Sequence, residues 1–129
     1  HTTDAPGAVT RLADMGIEPY LLASTLSGVL AQRLVRKLCP HCKKPGTRGL
    51  YHPVGCAECG QTGYKGRTGV YELMAVDDKV SALIHSRAAE SQLFVAAEAA
   101  GLRSMREDGE RLVQQGITSP EELMRVTRE

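Results

Sequence analysis

Four cysteines carry the clearest chemistry in this chain. They fall as Cys39-Pro40-His41-Cys42 and, after thirteen intervening residues, Cys56-Ala57-Glu58-Cys59, and the 129 residues contain no others. Two residues between ligands let a tight turn aim both sulfurs at one point, with backbone N–H groups pointing back at the thiolates. Two such turns brought together give the four-sulfur tetrahedron that suits a structural zinc ion. Two disulfides or a redox dithiol are the alternatives. A secreted disulfide scaffold is small, follows a signal sequence and spreads its cysteines along the chain. A thioredoxin-type site needs only one C-x-x-C, beside a strand–helix unit. The pattern favours zinc on Cys39, Cys42, Cys56 and Cys59. His41 and His52 are each able to replace a sulfur, but four thiolates already close the shell, so both read as bystanders.

The surroundings of the cysteines are basic. Residues 36–72 hold Arg36, Lys37, Lys43, Lys44, Arg48, Lys65 and Arg67 against Glu58 and Glu72, a net of +5 in a chain whose formal charge is +1. Four thiolates with one Zn2+ add −2, so part of the positive charge offsets the metal site itself. Tyr51, Tyr64 and Tyr71 also lie here. A basic ribbon with interleaved aromatics is one form of nucleic-acid binder. The favoured reading is that the tyrosines pack the small core of the knuckle, which has few other large apolar groups.

The elements that must position this cluster follow from periodicity. The chain suffices for one modest domain or two small units sharing a core. With no Trp and one Phe, that core is built from Leu, Val, Ile, Met and Ala. No apolar run approaches the roughly 20 residues that span a bilayer. The first residue is His1 rather than Met, and the chain is expected to be a fragment.

Residues 1–35 read as helical. Asp4 caps a helix with Pro6 in its first turn and Val9, Leu12 and Ala13 at helical spacing, and Gly16 stops it. Glu18-Pro19 restarts a helix with Leu22, Leu26, Val29, Leu30 and Arg33 on one face. That face needs a partner, expected to be a sheet lying mostly outside the chain. From Arg33 to Leu38 the rhythm shifts to alternation, a strand leading into Cys39. Gly60, Gly63, Gly66 and Gly69 suggest a phosphate loop, but lack the G-x-x-x-x-G-K-[ST] arrangement and read as turns. Val70–Val76 then forms a strand with Glu72 on its polar side.

The last third is helical. Asp77 or Asp78 caps a helix carrying Val80, Leu83 and Ile84, and Leu93, Ala96, Ala97 and Ala100 make a second, stopped by Gly101. Ser104-Met105-Arg106-Glu107 is a capping box opening a third, and Ser119-Pro120-Glu121-Glu122 is another opening a terminal helix through Leu123 and Val126. His85 is a surface or helix-end residue. No Ser, His and Asp spacing makes a catalytic triad. The residues alone predict a zinc-stapled, mostly helical domain.

Four stretches carry a resemblance. They are His1-Thr2-Thr3-Asp4-Ala5 with Gly7-Ala8-Val9-Thr10-Arg11-Leu12-Ala13-Asp14-Met15-Gly16, then Leu30-Ala31-Gln32-Arg33-Leu34-Val35-Arg36 running into Leu38-Cys39-Pro40. Gly63-Tyr64-Lys65-Gly66-Arg67-Thr68-Gly69-Val70-Tyr71-Glu72-Leu73 and the closing 116–127 stretch complete the set. In this order they resemble the type II secretion ATPases (general secretion pathway protein E), close relatives of the type IV pilus assembly ATPases. Gly7–Leu12 and Tyr71-Glu72-Leu73 favour the secretion branch. The alternatives are a pilus ATPase fragment or a zinc-ribbon nucleic-acid-binding module.

The resemblance implies an α+β, mostly helical fold. It would comprise the C-terminal remnant of a P-loop NTPase core (1–35), an inserted four-cysteine zinc module (36–72) and a small helical C-terminal bundle (73–129). It places His1 near the nucleotide γ-phosphate. It implies a homo-hexameric, cytoplasmic parent ATPase, peripheral to the bacterial inner membrane, docked on inner-membrane platform proteins and extending a pseudopilus. Neither nucleic-acid binding nor membrane insertion is implied. No Walker A loop or Walker B carboxylate occurs here, so ATP and Mg2+ belong to the full-length parent and this chain alone is expected to be inactive. The spacer between the cysteine pairs is shorter than the resemblance implies, and Lys44–Gly49 is expected to mark a trimmed loop.

Overall fold

The computed structural model describes residues 4–127, so His1 lies outside the described residues. Its helices are α1 (Ala5–Asp14), α2 (Pro19–Thr25), α3 (Asp78–His85), α4 (Glu90–Ala99), α5 (Met105–Gln114) and α6 (Pro120–Thr127). The strands are β1 (Gly28–Leu38), β2 (Lys44–Pro45), β3 (Tyr51–His52) and β4 (Tyr64–Ala75). The chain forms two compact units, one of residues 4–31 and 72–104, the other of residues 32–71 and 105–127. Strands β1 and β4 pair. At one end Val76 N–H bonds Ser27 O, and at the other Cys39 N–H bonds Gly63 O, so the two strands run antiparallel.

In the first unit, helix α1 starts where Asp4 Oδ1 accepts the Gly7 N–H at 2.8 Å and stops at Gly16, whose φ of +97° suits a residue without Cβ. Helix α3 is capped by Asp77, whose Oδ1 accepts the Val80 N–H at 2.8 Å. Packing of α2 on α3, α3 on α4 and α1 on α4 encloses an apolar core. Its buried members include Val9, Leu22, Met74, Val80, Ile84 and Leu93.

Two sequence expectations fail here. The second helix ends at Thr25, and Val29, Leu30 and Arg33 belong to β1. Leu26 already has extended backbone, and Gly28 with β-branched Val29 weakens helical continuation. Along the strand the exposure alternates instead with a period of two, so Val29, Ala31, Arg33 and Val35 are less exposed than Leu30, Gln32 and Leu34. Leu22 lies in the apolar cluster with Val80, Ile84 and Leu93, and α2 packs on α3.

Glu72 is the second. Strand β4 starts at Tyr64 and takes in Gly66 and Gly69, which had read as turn residues. It buries Val70, Glu72 and Met74 in one row and exposes Tyr71, Leu73 and Ala75 in the other. Glu72 is only 3% exposed, and its Oε2 accepts the Ala5 N–H at 2.7 Å. A carboxylate at the first turn of α1 answers an N–H with no helical partner and faces the positive end of the helix dipole.

The second unit contains the β2–β3 hairpin, with Lys44 opposite His52 and Pro45 opposite Tyr51, and the α5–α6 pair. A Cβ at Gly109 in α5 would strike Leu123 of α6, so the glycine permits their close approach. The predicted C-terminal helices therefore divide between the units, α3 and α4 in one and α5 and α6 in the other.

Candidate metal centre

Cys39 ends the long β1 strand, and its N–H is tied to Gly63 O at 2.9 Å. A turn through Pro40 and His41, closed by Lys43 N–H to Cys39 O at 3.1 Å, brings Cys42 back beside it. Cys56 opens a short 3-10 turn, Ala57–Cys59, ended by Gly60 at φ +63°. All four sulfurs lie within 4.8 Å of one another. Sγ separations are 3.8 Å for Cys39–Cys56, 3.8 Å for Cys42–Cys59 and 3.7 Å for Cys56–Cys59. A disulfide would set about 2.05 Å, and all four cysteines are free. A tetrahedron with metal–sulfur bonds of about 2.3 Å has edges of about 3.8 Å. The four sulfurs fit a tetrahedral metal ion.

Backbone donors surround the sulfurs. Gly55 N–H points to Cys42 Sγ at 3.3 Å, Cys56 N–H to Cys59 Sγ at 3.3 Å, and Gly63 N–H to Cys59 Sγ at 3.1 Å. Burial alone would raise the Cys59 thiol, but the Cys56 and Gly63 N–H groups outweigh it and bring the pKa down to about 6. Burial, with the hydrogen bonds it shares with Cys59 and Cys39, pushes Cys56 up to about 11. Gly63 is fixed by sterics as well, since its φ is +83° and any Cβ would run into Pro53.

The spacer is a closed structure. Lys44–Pro45 pairs with Tyr51–His52, a 3-10 turn spans Thr47–Gly49, and Gly46 N–H bonds Leu50 O at 2.6 Å. The residues present in the spacer, including Lys44–Gly49 where a trimmed loop was expected, pair as a short hairpin.

The bystander histidines are not in the cluster. His52 Nδ1 lies 3.0 Å from Glu121 Oε1, and His41 is exposed. His85 is exposed at the end of α3. Two of the three tyrosines carry a cation over their rings, and the third, Tyr71, accepts from Gln32 Nε2 at 3.3 Å. The Arg36 guanidinium sits 4.2 Å from the Tyr64 ring centroid, and Lys43 Nζ 4.7 Å from that of Tyr51. Tyr64 Oη also bonds Ser119 Oγ at 2.6 Å. The rings of Tyr64 and Tyr51 thus meet cations within the unit, whereas Tyr71 is 43% exposed.

Glu122 was missed. The sequence made it a capping-box residue, and Ser119 Oγ does accept the Glu122 N–H at 3.1 Å. Its own carboxylate, fully buried, serves another purpose: it accepts from Arg36 N–H at 2.7 Å, Arg36 Nη2 at 3.0 Å and Arg125 Nε at 2.8 Å. Burial would raise its pKa, but Arg125 and Arg36 hold it down to about 2. No spacing rule pairs residues 36 and 122, so the sequence held no signal for this contact.

A cluster of four cysteines that could hold a metal ion, packed with a helical pair in a chain of mixed helix and sheet, defines a small α+β structure. The chain belongs to the type II/IV secretion system protein family, whose profile matches residues 1–125. It is 58% identical over 129 residues to the type II secretion system protein HxcR of Pseudomonas aeruginosa, covering all of this chain and 27% of that protein. It is 50% identical to the type II secretion system ATPase E of Vibrio cholerae, covering all of this chain and 29% of the relative. To the type IV pilus assembly ATPase TfpB of Acinetobacter baylyi it is 45% identical, with 98% of this chain and 25% of the relative covered. This chain thus spans less than a third of the length of these relatives.

The alignment to the Vibrio protein runs over 145 positions, so 16 of them have no residue among the 129 here, whereas the HxcR alignment runs over 129. A crystal structure of the pilus retraction motor PilT with bound ADP shares the fold. Its TM-score is 0.67 at 19% identity, covering all of this chain and 31% of that one. No described helix is long and apolar enough to cross a membrane.

Proposed function

We propose that this chain is the metal-binding C-terminal portion of an ATPase that powers type II protein secretion, and that its four thiolates hold a structural Zn2+. The observation that carries the reading is the sulfur spacing of 3.7–3.8 Å, the edge of a zinc tetrathiolate, in a chain of this family. All-sulfur, closed coordination is what structural zinc takes, and it leaves no open position for catalysis. The names of the relatives support a motor that hydrolyses ATP. In the full-length protein residues 1–35 close the P-loop core, with His1 as a hydrogen-bonding sensor of the γ-phosphate of Mg2+-bound ATP. The segment 36–72 is the zinc module and 73–129 the helical part. The motor works as a homo-hexamer at the cytoplasmic face of the inner membrane, against platform proteins that assemble a pseudopilus. The secretion branch is preferred to the pilus branch on the two highest identities above.

Native mass spectrometry of the purified chain, with and without a chelator, tests the site. One zinc per chain is expected. A metal-free mass short by four hydrogens would mean two disulfides and defeat the reading. The same sample is expected to show no ATP turnover, because no phosphate-binding loop is present; measurable hydrolysis would overturn that assignment of roles.

A further inference from the structure

The bonds around Glu122 form a continuous path between helix α6 and the metal site. The Glu122 carboxylate holds the Arg36 N–H and guanidinium three residues before Cys39 on the same strand. Thr118 Oγ1 donates to Arg36 O at 2.7 Å, and Leu38 N–H, next to Cys39, bonds Ile117 O at 2.8 Å. On the second arm Ser119, at the start of α6, bonds the Tyr64 hydroxyl, while Arg36 covers the Tyr64 ring. Tyr64 follows Gly63, whose N–H reaches Cys59 Sγ and whose carbonyl accepts the Cys39 N–H. A third contact joins Lys43 Nζ, next to Cys42, to Gly116 O at 2.9 Å. Every segment carrying a cysteine is thus within a few bonds of the 116–122 stretch or of a residue it holds. Thr118, Ser119 and Glu122 are all buried.

The geometry points to Glu122 as a positioning residue for the four-cysteine site, so that metal binding and the docking of helix α6 are one coupled equilibrium. This rests on the metal reading given above. A free module of residues 36–72 would lack the carboxylate that neutralises Arg36 beside its first ligand. Conversely, losing the metal frees Cys39, Gly63 and Tyr64 and removes the surface on which α6 is seated. By linkage, whatever strengthens one strengthens the other by the same factor. A partner that pulls α6 away would loosen the metal, and a metal chelator would release α6.

The test uses the full chain. Zinc affinity is measured by competition with a chelating dye for the wild type and for Glu122→Gln, which keeps the shape of the side chain and removes its charge. The expected loss is about tenfold, the lower end of what outer partners of metal ligands contribute. With Co2+ as the probe, the thiolate-to-metal charge-transfer bands of Glu122→Gln are expected to shift, because Gly63 N–H no longer meets Cys59 at its native angle. A loss of affinity with unchanged bands would indicate general destabilisation and overturn the positioning role.

Hydrogen exchange on the wild type needs no variant. Chelation is expected to abolish amide protection in α6 while α3 and α4 keep theirs. Protection of α6 that survives chelation, or a Glu122→Gln affinity within twofold of wild type, overturns the coupling and leaves the metal site intact. A wild type that binds no zinc removes the metal reading itself, and the coupling with it.

Discussion

The unit of residues 4–31 and 72–104 gathers Val9, Leu22, Met74, Val80, Ile84 and Leu93 around one apolar cluster, and Glu72 is the charged group it buries. The unit of residues 32–71 and 105–127 has apolar members too, among them Val35, Leu38, Val70, Leu112 and Leu123. It also buries Thr118, Ser119 and Glu122, stacks two cations on tyrosines and collects four sulfurs at one point. The first is the kind of core that area burial alone stabilises. In the second, specific polar contacts and the four-sulfur site carry the β1–β4 end, the short hairpin and the 3-10 turns, none of which builds a thick apolar layer. A chain with one Phe and no Trp has limited apolar area, and the proposed metal would supply order where that area is thin.

The sharpest way to break this contrast is Cys39→Ser. Structural zinc contributes on the order of 10 kcal/mol in small modules, comparable to the stability of a whole domain. Hydrogen exchange on this variant is expected to show residues 36–71 unprotected, together with α5 and α6, while α3 and α4 remain protected. Loss of protection in all helices would mean that the units melt as one and that the contrast has no thermodynamic content. The converse is Leu93→Ala, which removes buried methyl groups from the apolar cluster. It is expected to cost about 2–5 kcal/mol in the first unit, read as earlier denaturant unfolding of α3 and α4, with zinc stoichiometry unchanged.

Acid gives a finer separation. The carboxyl of Glu122 titrates near 2 in the folded chain, below its ordinary 4.5. A depressed folded-state value means that the stabilisation is complete above about 4.5 and fades as pH falls from there towards 2. The contribution is on the order of 3 kcal/mol at neutral pH. The stability difference between wild type and Glu122→Gln, measured from pH 6 downward, is therefore expected to shrink below about pH 4.5. A difference that stays constant over that range would show that the ion pairs with Arg36 and Arg125 are not what the variant removes.

Legibility in the sequence followed the range of the interactions. Caps and stops were readable because their partners are three or four residues away, as with Asp4 and Gly7 or Asp77 and Val80. The cysteine pairs were readable because a C-x-x-C turn is local and the second pair repeats the first. Strand β1 was half read: Leu22, Leu26, Val29, Leu30 and Arg33 fit a helical period, and the extended backbone at Leu26 breaks it. Glu72 was misread, and the claim on the Glu122 carboxylate went unseen, for one reason. A carboxylate looks solvent-facing until something distant claims it, here the Ala5 N–H in one unit and Arg36 in the other.

The smallest expected effect tests which groups belong to the site. His52 lies between the cysteine pairs and, like His41, is able by type to replace a sulfur, yet its ring faces Glu121 on the surface, with 40% and 59% of the two side chains exposed. Exposed ion pairs contribute roughly 0–1 kcal/mol, and this one is charged only when the imidazole is protonated. His52→Ala is therefore expected to shift the denaturation midpoint only slightly, with zinc stoichiometry and Co2+ spectrum unaltered. The spectrum is the decisive readout, because a nitrogen ligand replacing a thiolate weakens the charge-transfer bands in proportion to the sulfurs lost. Were the His52→Ala chain to lose its metal, or its Co2+ bands to change intensity, the ligand set would include an imidazole. The four-sulfur geometry would then have to be rebuilt around His52 rather than around a closed set of cysteines.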